Sequence, residues 1–172
     1  MPVPCKVGES SRFRKTVSES DVYLFAGISG DFAPNHIDEE FMRQAEGDGP
    51  AAAGGRIAHG ALLVAYMSAA STRLYEPYWS DAASEVPVSA GYDRIRFLKP
   101  VHIGDTVTVT YRVSSVDADR GRALAAIEIH NQAGDLVAVA THLAAFPTRS
   151  DLFGQDRPGS PEEMGRQEGP AG

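Results

Sequence analysis

The sequence predicts a single α+β domain in which one antiparallel sheet is wrapped around a long central helix. Residues 61–70 are almost all apolar or small, and the helix they begin runs to about residue 75, which is typical of a buried helix. The chain from residue 88 to residue 146 is a run of segments with strand-like alternation. Strands that follow a buried helix in this way favour a sheet packed against that helix.

The chain has 172 residues, 42% of them hydrophobic, and a formal charge of −7. This length supports one domain with a core that needs no disulfide bonds. The acidic balance, without any basic stripe, argues against nucleic acid as a partner. Because the N-terminus lacks an apolar stretch of signal-peptide length and the helix at 61–75 is too short to span a bilayer, we expect a cytoplasmic protein with no membrane contact. The single cysteine, Cys5, excludes a disulfide framework and is predicted to be a free thiol near a mobile terminus.

The first elements of the chain lead to a carboxylate. Residues 10–17 alternate weakly and predict a first strand. Ser18, followed three residues later by Asp21, predicts the start of a helix with the serine as its N-cap. This helix is expected to end at Gly30, so it delivers Asp31 at its end.

Asp31 and His36 lie five residues apart with Pro34 between them. On a continuous helix this separation points two side chains roughly 140° apart, whereas the proline favours a loop in which both can reach one point. A carboxylate and an imidazole held in this way can share one water molecule, as general acid/base addition or removal of water requires. The alternative is that Asp31 only caps a turn and His36 has no chemical role. A short helix capped by Asp38 is predicted to follow, to about residue 45.

Gly60 is predicted to open the buried helix. The first turn of such a helix presents free backbone N–H groups and the positive end of the helix dipole. This end suits a developing oxyanion, such as the enolate oxygen of a thioester; the alternative is an ordinary glycine at a helix start. The glycine-rich segment at 47–55 is predicted to be flexible.

Six stretches of the sequence form a larger pattern: Phe25 to Asp31, Pro34 to His36, Asp38, Ile57 to Gly60, Arg96 to Val101, and Gly104 to Val107. Together they resemble the signature of the MaoC-like (R)-specific enoyl-CoA hydratases and dehydratases, which are proteins of the hot-dog fold. The resemblance covers about residues 8–147. It implies one hot-dog domain over residues 1–148, and the polar composition of residues 149–172 predicts a disordered tail.

The resemblance also implies roles for individual residues. Asp31 and His36 would form a catalytic dyad that activates water for addition to a 2-enoyl thioester, giving an (R)-3-hydroxyacyl product, or runs the reverse dehydration. The backbone N–H of Gly60 would hold the thioester oxygen. Ser68, two turns further along the helix, matches a position that lines the pocket near the reacting carbons in some members.

One position departs from the family pattern. The family commonly has Asn where this chain has Ala33, and the lost amide removes a hydrogen bond that braces the loop, which Asn35 is placed to replace. His59 is predicted to orient the backbone at Gly60 without taking part in the chemistry. The remaining histidines are predicted to be surface or sheet residues, with no three-ligand metal spacing: His102, His130 and His142.

The resemblance implies a hydro-lyase of fatty acid metabolism that acts on an acyl-CoA or acyl-carrier thioester, needs no cofactor and no metal, and assembles as a homodimer or a dimer of dimers. Two rival hypotheses stay open. A hot-dog acyl-CoA thioesterase would release free thiol, which hydration does not. A non-catalytic acyl-thioester binding subunit would be favoured if Ala33 let the loop collapse so that Asp31 and His36 point apart. The acyl chain, its carrier and the physiological direction stay open.

Overall fold

The computed structural model describes residues 3–44, 55–79 and 83–154. Within these ranges the chain forms one antiparallel sheet and a set of helices on one side of it, which confirms the predicted α+β class. The strands are β1 Ser10–Thr16, β2 Val88–Phe97, β3 Thr106–Asp117, β4 Arg122–His130 and β5 Leu136–Ala145. The helices are α1 Glu19–Ser29, α2 Pro34–Ile37, α3 Glu39–Gln44, α4 Gly60–Tyr75 and α5 Arg149–Phe153, with a 3₁₀ turn at Glu76–Tyr78.

The sheet has the strand order β1-β3-β4-β5-β2, so β1 and β2 lie at its edges. The alternation predicted for β3 is confirmed, because Val107, Val109 and Val113 are buried while Arg112 between them is exposed. The strand β2 pairs with β5 on one side only, and most of its side chains are exposed. Like β1, which pairs only with β3, β2 therefore has one edge without a partner strand in the described part of the chain.

The helix α4 lies against the concave face of the sheet. Met67, at its centre, has no exposed surface. The burial predicted for α4 applies to one side only, because the sheet covers that side and the other side carries small exposed residues. The buried side consists of Leu62, Leu63, Tyr66, Met67, Ala70, Ser71 and Tyr75, and the exposed side includes Ala61, Ala65, Ser68 and Thr72.

Two predicted helix caps are confirmed. The Ser18 hydroxyl accepts a hydrogen bond from the Asp21 N–H at 3.1 Å, and the Asp21 carboxylate accepts one from the Ser18 N–H at 2.8 Å, which forms a capping box at the start of α1. At the start of α3, the Asp38 carboxylate accepts a hydrogen bond from the Phe41 N–H at 3.0 Å. The helices that flank the loop of Asp31 and His36 therefore begin where the sequence predicts.

Three expectations need correction. Pro34 starts the one-turn helix α2 where a loop was predicted, since a proline at the first helical position gives up no hydrogen bond. Cys5 is 2% exposed and not in a mobile terminus, because the Gly8 N–H bonds to the Val113 carbonyl at 2.9 Å and holds this segment against β3. α5 falls inside the segment predicted as a tail, and a capping box at Thr148 stabilises its start.

Parts of the sequence-based predictions lie outside the described residues. These are most of the glycine-rich segment predicted to be flexible and the tail beyond residue 154. Among the helices of the described ranges, none combines the length and the apolar content that crossing a bilayer requires.

Replacing Met67 with alanine tests how much the packing of α4 contributes to stability. Met67→Ala leaves a cavity between α4 and the sheet, so we expect the free energy of unfolding to fall by about 2–5 kcal/mol in chemical denaturation. Leu124→Ala, on a partly exposed side chain of β4, is the control and is expected to cost about 1 kcal/mol or less. Equal losses in the two variants would contradict the central position of Met67.

Candidate active site

The end of α1 places Asp31. Gly30 takes a left-handed conformation with φ 77°, and its N–H closes the helix on the Ala26 carbonyl at 2.8 Å. A glycine adopts this conformation without strain, so the chain turns sharply before Asp31. The Asp31 N–H then donates to the Ser29 hydroxyl at 3.2 Å, and the Asp31 carboxylate accepts from the Ala33 N–H at 3.3 Å. The loop is thus braced by its own backbone even without an amide side chain at position 33.

His36 lies on α2 and is buried. Its Nδ1 is 2.8 Å from the Ile57 carbonyl oxygen. A carbonyl only accepts hydrogen bonds, so Nδ1 carries a proton and the neutral ring keeps its lone pair on Nε2. With the proton on Nδ1, Nε2 accepts a long hydrogen bond of 3.4 Å from the Asn35 side-chain amide. The Asn35 carbonyl accepts from the Ile57 N–H at 3.1 Å. These bonds fix the orientation of the imidazole.

His59 joins the two halves of the site. Its Nε2 donates to the backbone carbonyl of Asp31 at 2.9 Å. Its ring stacks on the His36 ring with centres 3.8 Å apart, and the Phe25 ring covers it at 4.9 Å. His59 therefore holds the backbone of one candidate catalytic residue and the ring of the other. The prediction placed its effect at Gly60, and the contacts to Asp31 and His36 were missed.

The three residues Asp31, His36 and His59 converge. Each offers one oxygen or nitrogen atom, and these atoms lie within 4.8 Å of one another. Such a group has the spacing of metal ligands, although one ring nitrogen of each histidine already bonds to a backbone carbonyl. The absence of a metal requirement stays a prediction. The loop brings a carboxylate oxygen of Asp31 and a ring nitrogen of His36 within 4.8 Å of each other.

Gly60 is the first residue of α4 and has no room for a side chain. A Cβ placed on it would lie 2.6 Å from the Phe97 ring. Two non-bonded carbon atoms do not approach so closely. Its N–H lies in the first turn of the helix, where no intrahelical partner exists and the dipole is positive. Gly60 follows His59 directly, so this N–H is adjacent to the group of Asp31 and the two histidines.

Ser68 is not brought to the same point within one chain. It lies eight residues after Gly60, which is about 12 Å along the axis of α4. Its side chain is exposed and lines a separate pocket in the second half of the helix. Within one chain Ser68 and Gly60 are therefore well separated, and the role of Ser68 near the reacting carbons stays a prediction.

Arg56 holds together elements that carry the site, which the sequence did not reveal. Its guanidinium lies 2.6 Å from a Glu19 carboxylate oxygen and 3.0 Å from one of Glu39, with 13% of the side chain exposed. The hydrogen bonds that Arg56 donates, first to Glu19 and then to Glu39, hold the pKa of Arg56 above its ordinary value. The residue ties α1, α3 and the segment before α4 together. Its partners lie 37 and 17 residues away, so no local pattern signals the pairing.

The family model for the MaoC like domain matches residues 4–133. An (R)-specific enoyl-CoA hydratase of Rhodospirillum rubrum is 40% identical over 112 residues, which is 64% of this chain and 67% of the relative. The chain belongs to the MaoC-like family. The resemblance seen in the sequence is thereby confirmed. A 3-hydroxybutyryl-CoA dehydratase of Methylorubrum extorquens is 35% identical over 119 residues, 69% of the chain and 66% of the relative, so the match spans about two thirds of these two relatives.

Solved structures of MaoC-like relatives share the fold. An (R)-hydratase from A. caviae involved in PHA biosynthesis superposes with a TM-score of 0.69 at 26% identity, covering 84% of the chain and 98% of that structure. An unliganded (R)-hydratase from Pseudomonas aeruginosa gives 0.67 at 28%, covering 84% and 83%. A fluoroacetyl-CoA-specific thioesterase is 20% identical with a TM-score of 0.60. The last likeness shows the fold alone, and the hot-dog architecture is confirmed.

The close approach of Gly60 to Phe97 makes a double variant informative. Gly60→Ala forces the Phe97 ring or the start of α4 to move, so we expect the free energy of unfolding to fall by about 1–3 kcal/mol. In Gly60→Ala/Phe97→Ala the smaller residue removes the clash, so the double variant should be more stable than the sum of the two single losses predicts. If the losses in free energy of unfolding are additive in chemical denaturation, there is no steric clash between the residue at position 60 and Phe97.

Proposed function

We propose that this MaoC-like hydro-lyase adds water to the 2,3 double bond of an enoyl-CoA and gives the (R)-3-hydroxyacyl-CoA, or runs the reverse dehydration. The observation that carries the proposal is the convergence of the Asp31 carboxylate and the His36 ring, with His36 Nδ1 bonded to the Ile57 carbonyl. This leaves a carboxylate oxygen and, once a water displaces the long 3.4 Å contact from the Asn35 amide, the Nε2 lone pair to receive the two protons of that water molecule.

In this mechanism the water donates one hydrogen bond to Asp31 and one to His36 Nε2. As its oxygen attacks Cβ, Asp31 takes a proton from the water, and His36 holds the water in line with the double bond. The pair then returns one proton to Cα, so that H and OH have been added and both side chains regain their starting state. A water positioned by two fixed groups avoids much of the entropic cost of bringing water and double bond together.

The Gly60 N–H is suited to the negative charge that the reaction creates. Attack at Cβ moves charge onto the thioester oxygen as an enolate forms. A free N–H at the positive end of α4 can donate a hydrogen bond to that oxygen. The lack of space for a Cβ at Gly60 is consistent with a backbone that must stay close to its neighbours.

The names of the relatives support the choice of substrate. The Rhodospirillum rubrum relative is named as an (R)-specific enoyl-CoA hydratase, and the Methylorubrum extorquens relative as a dehydratase of 3-hydroxybutyryl-CoA. Both reactions interconvert the same two kinds of CoA thioester. We infer that CoA thioesters are the substrate class here and that water is the only co-substrate, with no cofactor.

We also infer a homodimer. The strand β2 ends the sheet with an open edge and exposed side chains, and pairing with a second copy would cover that edge. Of the rival functions, the non-catalytic binding subunit requires that Asp31 and His36 point apart. A carboxylate oxygen of Asp31 and a ring nitrogen of His36 within 4.8 Å of each other support the catalytic proposal instead. The thioesterase is distinguished by its product.

Substitution of the two proposed catalytic residues tests the function. Purified protein is incubated with crotonyl-CoA, and both the enoyl absorbance and free thiol are followed. We expect the wild type to lose enoyl absorbance without thiol release, and Asp31→Asn and His36→Gln each to lower kcat by about 10²–10⁴-fold, because each removes a proton acceptor. Asp119→Asn, in the exposed turn after β3, is the control and should leave the rate unchanged.

Other outcomes of this experiment would change the assignment. Release of thiol would identify a thioesterase. No reaction across a panel of enoyl-CoAs, combined with tight binding of the same ligands by titration, would identify a binding subunit.

His59 is expected to act by positioning the pair. His59→Phe keeps a ring that can stack on His36 but has no N–H for the Asp31 carbonyl, so Asp31 shifts. We expect kcat for crotonyl-CoA to fall by about tenfold to a hundredfold with little change in KM. His59→Gln, whose amide can donate, should recover part of the rate, and His130→Phe on β4 is the control. A normal kcat in His59→Phe would mean that the bond to Asp31 does not matter.

A further inference from the structure

The second half of α4 borders a pocket of about 380 Å³. The start of β2, the strand β5 and the helix α5 form its other sides. The rim is apolar and exposed, and consists of Trp79, Val88, Leu152 and Phe153. One wall is polar: it is formed by Ser68, Ser71, Ser89 and His142, and these four residues are called the polar wall below.

A chain of buried hydrogen bonds holds the polar wall. His142 is 1% exposed, and its Nε2 lies 2.9 Å from the Ser89 hydroxyl. Its Nδ1 lies 2.7 Å from the Tyr111 hydroxyl, which in turn lies 3.1 Å from that of Tyr75. Both ring nitrogens therefore have partners, so the imidazole is fixed in place.

Tyr92 adds a polar atom next to this wall. Its ring packs over His142 with centres 4.5 Å apart, and its hydroxyl is buried without a hydrogen-bond partner in the described part of the chain. Burial raises the pKa of the Tyr92 hydroxyl. The nearby hydroxyl groups of Ser68, Ser71 and Ser89 act in the opposite direction and lower this pKa. None of the three serines meets the geometry of a hydrogen bond to Tyr92, so the cluster has unused hydrogen-bonding capacity.

The polar wall carries no charge. Among the described residues that line the pocket there is no Asp, Glu, Lys or Arg. Burial lowers the pKa of His142 to about 4, so its ring is neutral at pH 7. A carboxylate placed here would lose its hydration without gaining a counter-charge, whereas a hydroxyl or carbonyl group would gain hydrogen bonds at lower cost.

The pocket is placed for the far end of a substrate. Ser68 lies about 12 Å along α4 from Gly60, which is about ten bonds of an extended chain at ~1.2 Å per bond. The thioester of the proposed reaction lies at Gly60, so the pocket is remote from the reacting carbons. Several of its residues, among them His142, Leu152 and Phe153, follow residue 133, where the family match ends.

We propose that this pocket binds the distal end of the acyl group and that its polar wall selects an acyl group with an uncharged oxygen, a hydroxyl or a carbonyl, over plain alkyl and carboxylate ends. The proposal rests on the proposed function, since it extends an acyl group from the thioester at Gly60. The Ser71 hydroxyl already donates to the Ser68 carbonyl at 2.8 Å, so it accepts a hydrogen bond from an acyl hydroxyl. The Ser89 hydroxyl, held at 2.9 Å from His142 Nε2, has hydrogen-bonding capacity left for the acyl oxygen. The aromatic rim encloses the alkyl part of the chain.

Three matched substrates test this selection. They are 2-enoyl-CoAs with a chain of about ten atoms that end in a methyl, a hydroxyl or a carboxylate group. For the wild type we expect kcat/KM to be highest for the hydroxyl end and lowest for the carboxylate end, with the differences mainly in KM. The alkyl end as the best substrate, or equal values for all three, would overturn the proposal.

Two single variants locate the effect. Ser89→Ala and Ser71→Ala each remove one hydroxyl group from the polar wall. We expect each to lower the ratio of kcat/KM between the hydroxyl and methyl substrates by about three- to tenfold, the worth of one neutral hydrogen bond. Taking the ratio within each variant cancels any loss of folded protein. Ser115→Ala, at an exposed serine of β3, is the control and should leave the ratio unchanged.

Crotonyl-CoA separates the two proposals, because its acyl group is too short to reach the pocket. Hydration of crotonyl-CoA together with an unchanged ratio in both serine variants would overturn the pocket assignment alone. Absence of hydration for crotonyl-CoA and for all three longer substrates would overturn the proposed function, and the pocket assignment with it.

Discussion

The packing of α4 into the concave face of the sheet determines where everything else in the protein lies. Met67 and its neighbours are buried against the strands, so the helix cannot slide or rotate without opening the core. Its first residue is therefore held at one position relative to the sheet. His59 and Gly60 lie at that position, and the loop of Asp31 and His36 is built onto it through His59. The hydrophobic packing of α4 against the sheet therefore keeps the site rigid.

Backbone carbonyls orient the side chains of the site. His36 donates to the carbonyl of Ile57, and His59 donates to the carbonyl of Asp31. A carbonyl cannot exchange the roles of donor and acceptor, so each bond fixes a tautomer as well as a ring orientation. The second bond also links a residue before α4 to the loop after α1. The ion pairs of Arg56 connect the same elements from the outside, where partial exposure to water limits their contribution.

Local signals in the sequence were enough to predict the helices and strands. Contacts between residues far apart in the chain could not be predicted from such signals. The alternation of β3 and the capping box of Ser18 and Asp21 depend on neighbours within a few residues, and both were predicted. The convergence of Asp31 and His36 was predicted from a loop at Pro34 and from the family pattern, although Pro34 in fact starts a helical turn. In contrast, Arg56 meets acids far away in the chain, and His142 is buried by residues of other strands, so neither left a local trace. The role of Ser68 stays a prediction, because it was carried over from the family pattern and no contact of the described residues brings it to Gly60.

The helix α4 carries two sets of groups at separate places along its length. The residues around its first turn belong to the part of the chain that the family model matches, while the pocket on its second half is completed by β5 and α5 beyond that match. About two turns of helix separate the groups proposed to handle water from the pocket proposed for the far end of the acyl chain. On these two proposals, a substitution near the C-terminus can alter the acyl preference without touching the residues proposed for the chemistry at the thioester.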